Sequence, residues 1–321
     1  MATSSIADRR QMRRKLSFWR IVSILLVGLA LLIGWYAMNS GDLAAPTGRD
    51  HVAVVKVSGT ISDDQELIER LDRIAKDKHA KALVVEISSP GGTTYGGEVI
   101  FKAMRRVAEK KPVVADIRTL AASAGYMIAT GGDVIIAGDN SITGSIGVIF
   151  QYPQLKDLMD KVGVSLEEIK STPLKAEPSP FHPASEDAKA MISRLVGDSY
   201  NWFVDLVAER RKLPRAEVLR LADGSIYTGR QALANKLVDR LGGEAEIRAY
   251  LKERKVDGDL EFVVWPAKRS PAPFFLDKLT GKIMQIMGLD NLWGANLLKN
   301  IGEDKLFLDG LVSAWQIDPK Q

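Results

Sequence analysis

From His51 onward, short runs of Val, Ile and Leu alternate with longer amphipathic stretches, the rhythm of strands and helices taking turns in an α/β domain. Val52–Val57, Ala82–Ile87, Val113–Ile117 and Val134–Ala137 read as strands, and the spacing predicts helices over Asp63–Asp77, about Gly97–Lys110 and just after Ser123. The strand runs are apolar without period-two alternation. That pattern belongs to strands buried on both faces, so a mostly parallel sheet is expected. Further on, the pattern predicts a short helix from Pro153 to about Lys161 and a strand over Ser165–Ile169, followed by a proline-broken loop from Ser171 to Pro183. A long helix from Ser185 to about Lys212 sets Ile192, Leu195, Val196, Tyr200, Phe203 and Val204 along one stripe, as ordinary core material. Shorter helices around Arg215–Ala222 and Gly229–Ala234 lead to Leu237-Val238-Asp239. After Pro266 no element is predicted. Phe274, Phe275, Trp293 and Trp315 in that tail would suit packing against a neighbouring subunit or a membrane.

Ahead of this domain the pattern is different. Ile21 to Met38 is 18 residues without a charge, and as a helix it would span ~27 Å, near the thickness of a bilayer's hydrocarbon layer. Trp19, Trp35 and Tyr36 sit near its ends, where amphipathic rings prefer the interface. Arg9, Arg10, Arg13, Arg14, Lys15 and Arg20 precede it, and only Arg49 follows soon after, which places the N-terminus in the cytoplasm and the rest outside. A cleaved signal peptide is the rival reading. It would have a shorter apolar core and small residues at −3 and −1 of a cut; after Met38, Ala44 has Asp42 at −3 and Ala45 abuts Pro46. The expected organisation is a basic arm at 1–20, an anchor at 21–38, a linker at 39–50, a catalytic domain at 51–255, and a C-terminal strand and tail at 256–321.

The net charge of +4 is misleading, because the basic excess lies in the first twenty residues and the remainder is close to neutral. No basic groove is left to track phosphates, which argues against nucleic acid. The absence of cysteine excludes thiol nucleophiles, zinc–thiolate sites and disulfides. His51, His79 and His182 are far apart and lack ligand spacing, so neither a metal nor another cofactor is expected.

The candidate chemistry centres on Ser123, flanked by Ala121, Ala122, Ala124 and Gly125 between a strand and a helix. Small neighbours let a substrate backbone approach the hydroxyl, and a helix start offers N–H groups to a developing negative charge. Close packing alone would also explain such neighbours. Ser89-Pro90-Gly91-Gly92 can supply further backbone N–H groups, or be only a turn. A serine needs a base. His182 is the one plausibly placed histidine. The alternative is a neutral lysine, and Lys170 and Lys175 both lie in the loop 169–181, where Glu177 could pair with either.

In order along the chain, SPGG at 89–92, AASAGY at 121–126, TGSIGV at 143–148, IKSTPLKAEPSPF at 169–181 and IYTGRQALANKLVDRLGG at 226–243 resemble the signal peptide peptidase A family. These are membrane-anchored serine peptidases, and the likeness is to their short, single-repeat form over roughly residues 50–255. The resemblance implies a fold like that of the Clp protease subunit and the crotonases, built of repeated ββα units. It also implies Ser123 as nucleophile, Lys175 as general base and Lys170 as a loop lysine that is not the base. Ser145 would help to hold the lysine amine, and Gly91 or Gly92 would form the oxyanion hole with Ala124. Substrates would be remnant signal peptides and other small membrane or extracytoplasmic peptides, cleaved by a homo-oligomeric ring at the bacterial inner membrane in which serine and lysine can come from neighbouring protomers.

Three positions depart from the family pattern. Thr172-Pro173 replaces a glycine-containing pair, Ser88 stands where asparagine is usual, and Lys236 occupies a glycine position at a left-handed helix end. Three other readings stay open at this point: a catalytically silent membrane-tethered scaffold, a crotonase-type acyl-CoA enzyme, and a Ser–His hydrolase using His182.

Overall fold

The computed structural model describes residues 18–31 and 48–266 and the backbone of 312–314. The chain divides into two units, one made of residues 1–46 and 268–291, the other of 47–267 and 292–321. In the first unit, residues 18–31 are helical. Residues 32–38 of the expected anchor lie outside the described residues, as does the tail from 267 except for the backbone of 312–314. Among the described residues no helix is long and apolar enough to cross a membrane.

The second unit is a mixed α/β domain around one sheet, which fits a Clp-protease-like fold. Its strands are β1 (His51–Ile61), β2 (Ala80–Thr93), β3 (Val113–Ala122), β4 (Val134–Ala137), β5 (Ile142–Gly144), β6 (Ile226–Thr228), β7 (Arg240–Leu241), β8 (Phe262–Val264) and β9 (Val312–Ala314). The helices are α1 (Gln65–Lys76), α2 (Thr94–Ala108), α3 (Ala124–Ala129), α4 (Lys156–Lys161), α5 (Glu186–Arg211), α6 (Arg215–Leu221), α7 (Gly229–Ala234) and α8 (Glu244–Glu253). The main strand order is β6-β5-β3-β2-β1-β8, with β4 on β3, β7 on β4 and β9 on β2. All pairings are parallel except β5–β6 and β2–β9.

Both faces of the sheet are covered, which explains the missing alternation. Ala53, Val55 and Val57 of β1 join the larger core with residues of α1, α2, α3, α5 and α6, while Val52 and Val54 join a second core with Ile247, Tyr250 and Leu251 of α8. Each fully buried Val, Leu or Ile side chain contributes about 1.5–3 kcal/mol relative to exposure.

The long strands each break partway. The β1–β2 register shifts between Ser58 and Thr60, and the β2–β3 register between Ile87 and Ser89. β3 pairs β4 up to Ile117 and β5 from Leu120. Each broken strand is followed by a helix, and the second halves of β1, β2 and β3 with the separate β5 form the region around Ser123.

Several sequence expectations change. The chain does not turn at Ser89-Pro90-Gly91-Gly92; β2 continues to Thr93, and α2 starts at once with Thr93 Oγ1 accepting from the Gly96 amide at 3.1 Å. Ser165–Ile169 is not a strand, because no strand among the described residues pairs with it, and Ile169 stands fully exposed. The stripe on α5 is buried only in its second half, at Phe203 and Val204. Leu195 is exposed because nothing among the described residues covers the first half.

Candidate active site

Ser123 stands where β3 ends and α3 begins, at φ 57° and ψ −117°. An L-residue with positive φ outside a glycine is strained, at a cost of about 1–3 kcal/mol, and such strain persists only where neighbours hold it. Here the Ser123 amide donates to the Gly144 carbonyl at 2.8 Å, and the Ser123 carbonyl accepts from the Met127 amide at 2.9 Å. The side chain does not cap the helix. This is the strand–serine–helix geometry that presents a nucleophile at a sharp turn. Ser123 is 1 % exposed in the single chain.

The small residues around it are required by contact. A Cβ on Gly125 would lie 3.0 Å from the Ser89 carbonyl, and one on Gly97 would lie 2.9 Å from Met127 Sδ and 3.1 Å from Ala124 Cβ. The short helix α3 therefore lies tightly against both β2 and α2. At its C-terminal side Tyr126, fully buried, donates its hydroxyl to the Leu237 carbonyl at 2.8 Å, and burial pushes its phenol well above the usual range.

Ser89 pairs with Ala121 across the parallel β2–β3 ladder, so continuing that register brings Gly91 level with Ser123. The Gly91 amide already donates to Ser89 Oγ at 3.1 Å, and that hydroxyl donates to the Gly59 carbonyl at 2.6 Å. Gly92 lies over β1, where a Cβ would fall 1.9 Å from the Ile61 carbonyl oxygen. Ala124 is the first residue of α3, and a helix's first amides have no partner within the helix. Ser145 follows β5 at φ 50°, with its amide donating to the Ser225 carbonyl at 2.7 Å, and it is 8 % exposed. Ser123, Ala124, Gly91, Gly92 and Ser145 thus lie at adjoining ends of β2, β3 and β5. Thr143, the first residue of the TGSIGV segment, donates its Oγ1 to the Ala121 carbonyl at 2.7 Å and ties β5 to β3 just ahead of Ser123, a role that its sequence alone does not indicate.

Lys175 is placed differently. It lies on an exposed loop, where its amide donates to the Thr172 carbonyl at 3.1 Å. Its ammonium forms no hydrogen bond or ion pair among the described residues, so one chain alone does not bring it onto Ser123. The other loop lysine is fully engaged. Lys170 Nζ lies 2.5 Å from Glu168 and 2.6 Å from Glu177, and these bonds hold both carboxyls below, and the ammonium above, their ordinary pKa ranges. His182 also faces this pair, with Nε2 3.3 Å from Glu177 and 3.5 Å from Glu168. The histidine is therefore spoken for by carboxylates of its own loop and not by Ser123. Glu168, Glu177 and His182 have the spacing of a metal site, but the Lys170 ammonium already fills the cation's place between the two carboxylates.

Known proteins resemble this chain over much of its length. The model of peptidase family S49 matches residues 105–257. A Synechocystis protein provisionally named as a protease is 39 % identical over 203 residues, covering 63 % of this chain and 73 % of its own. A Methanocaldococcus jannaschii protein, also provisionally named a protease, is 33 % identical over 219 residues, covering 68 % and 70 %. The chloroplastic serine protease SPPA of Arabidopsis thaliana is 29 % identical over 260 residues, covering 76 % of this chain and 38 % of its own.

Proposed function

The chain belongs to peptidase family S49, the signal peptide peptidase A family, and is a serine peptidase; from that premise we propose that it cleaves peptides with Ser123 as nucleophile and Lys175 as general base. Neutral Lys175 takes the Ser123 proton as Oγ attacks the peptide carbonyl. The resulting oxyanion is held by the amides of Gly92 and Ala124, since the Gly91 amide is already committed to Ser89. The lysine's proton passes to the departing amine as the C–N bond breaks. Water, deprotonated by Lys175, then releases the acyl group and regenerates the serine. Ser145 orients the lysine amine. The observation that carries this reading is the strained Ser123 turn, fixed by the Gly144 carbonyl among residues too small to block an approaching backbone.

Ile21–Met38 anchors the chain in the bacterial inner membrane, with its basic arm in the cytoplasm and the catalytic domain outside. Substrates are remnant signal peptides and other small membrane or extracytoplasmic peptides, bound extended. The working form is a homo-oligomeric ring in which the lysine loop of one copy reaches the serine of another. Two observations support this last point: Lys175 has no partner among the described residues, and the segment carrying it exposes Leu158, Val162, Val164, Leu166 and Ile169.

Hydrolysis of a fluorogenic peptide by the full-length chain in detergent tests the proposal. Ser123→Ala and Lys175→Ala should each abolish turnover while remaining folded and assembled. Undiminished turnover by either variant would remove that residue from the mechanism, and silence of the wild type in detergent and lipid alike would favour a scaffold role.

A further inference from the structure

Lys175 sits at the tip of a short, sharply turned segment. The Lys175 amide donates to the Thr172 carbonyl at 3.1 Å, the Glu177 amide donates to the Leu174 carbonyl at 3.3 Å, and Ala176 between them has φ 62°. Two successive turns therefore fold residues 172–177 back on themselves, and the two flanks of the loop meet through side chains. Lys170 on one flank donates to Glu177 Oε1 on the other at 2.6 Å, and Glu168 and His182 complete the contact. The Glu177 side chain is 6 % exposed although the loop around it is largely open to solvent. Its second oxygen accepts from the Ser179 amide at 3.3 Å, so the carboxylate also fixes the chain leaving the loop.

We propose that Glu177, clasped by Lys170 and His182, is a positioning residue that holds the loop so that Lys175 is presented to the serine. The proposal rests on Lys175 being the general base. A flexible loop would sample many placements of its tip, and loss of about 1 Å in the placement of a catalytic group can cost 10²-fold in rate. Closing the base of the loop with a charged pair narrows that range without touching the lysine amine. The clasp also divides the labour between two similar side chains. Lys170 is kept protonated by two carboxylates and serves as a brace, which leaves Lys175 as the loop lysine with no carboxylate partner among the described residues. The pair is charged across a wide pH span: the carboxylates are held below their ordinary range and the ammonium above its own. The clasp is therefore closed throughout the neutral region where the peptidase would work.

Steady-state peptide hydrolysis by the full-length chain in detergent tests this with Glu177→Gln, Lys170→Met, Lys170→Arg and Lys175→Ala, and with Glu177→Gln combined with Lys175→Ala. The expected result is a fall in kcat of at least tenfold for Glu177→Gln and Lys170→Met, with KM changed less than threefold. Lys170→Arg, which keeps the charged clasp, should restore most of kcat. Glu177→Gln combined with Lys175→Ala should be as silent as Lys175→Ala alone and sets the zero-rate baseline. If Lys175→Ala is silent while Glu177→Gln and Lys170→Met keep full kcat, the clasp is overturned and the Ser–Lys reading stands. If Glu177→Gln raises KM and leaves kcat unchanged, it acts on substrate binding and not on the base. Full activity of Lys175→Ala would overturn both proposals together. Should Glu177→Gln fail to fold, the Lys170→Met and Lys170→Arg pair decides the question alone.

Discussion

The Ser123 amide donates to the Gly144 carbonyl across 2.8 Å, so the backbone of the proposed nucleophile is pinned from a different strand than the one that delivers it. Gly144 can make this contact because it lies at φ 91°, a conformation that other residues rarely adopt, and because nothing protrudes from its Cα. A methyl group there would fall 2.7 Å from Tyr227 Cδ2 and 2.9 Å from the Ser225 carbonyl oxygen. Gly144→Ala should therefore destabilise the protein by about 2–3 kcal/mol, from backbone strain plus overpacking. It should also lower kcat by at least tenfold, because the serine turn must shift with its anchor. Thermal melts and initial rates taken well below the melting point check both, and an unchanged kcat would show that the anchor does not set the nucleophile's position.

How far the sequence discloses this molecule follows the physics of each residue. Val52–Val57 and Val113–Ile117 were legible as strands because burial on both faces leaves runs that are apolar apart from Lys56 and Asp116. Lys236 was legible as a left-handed position and indeed has φ 58°. The extension of β2 through Pro90-Gly91-Gly92 was not legible, since Pro-Gly signals a turn; what keeps it extended is pairing with Thr60 and Ile61 beyond a register shift, together with the Ser89 hydroxyl. Nor could the sequence decide which lysine Glu177 would take. Lys175 is only two residues away and Lys170 is seven, and only the turns at 172–177 swing the carboxylate toward the more distant one. The Ser165–Ile169 run illustrates the opposite error: β-branched composition suggests a strand, but a strand needs a partner edge.

The placement of Lys175 away from Ser123 in one chain leads to a complementation test. If the dyad is shared between neighbours, neither Ser123→Ala nor Lys175→Ala homo-oligomers have an intact site. Mixed and reassembled at equal amounts, they should recover about a quarter of wild-type activity, because each site draws serine and lysine from independently chosen copies. Recovery near zero, with mixing verified by tagged subunits, would mean that serine and lysine act within one chain.

Asp116 supplies a pH-dependent handle on stability. Its side chain is 3 % exposed on β3, and burial raises its pKa despite an ion pair with Arg118 at 3.1 Å. A carboxyl whose folded pKa lies above its unfolded value binds its proton more tightly in the native state, so stability drops as pH rises from the unfolded value to the folded one. Asp116→Asn removes that term. Relative to wild type, the variant should gain stability as pH increases from about 4 to 7. Paired thermal melts across that range check the sign, and a difference that shrinks with pH would show that the Arg118 pair outweighs burial.

The edge of β2 next to Ser123 is paired with the chain's own C-terminal strand. A strand has two edges. β1 occupies one along its length, through Ile61 opposite Gly92, and β3 occupies the other up to the Ser89–Ala121 pair. β9 must then lie on the edge that β3 vacates, where it runs antiparallel with Gly91 opposite Ala314 and Thr93 opposite Val312. An extended substrate crossing Ser123 needs those same backbone groups, because strand addition supplies most of its main-chain hydrogen bonds. A tethered competitor acts at an effective concentration that can reach the millimolar range. Removing residues 312–321 should therefore lower KM several-fold while leaving kcat within about twofold. A synthetic peptide of residues 308–318 added in trans should inhibit the shortened chain competitively. If KM is unchanged and that peptide neither inhibits nor is cleaved, substrate does not use this edge of β2.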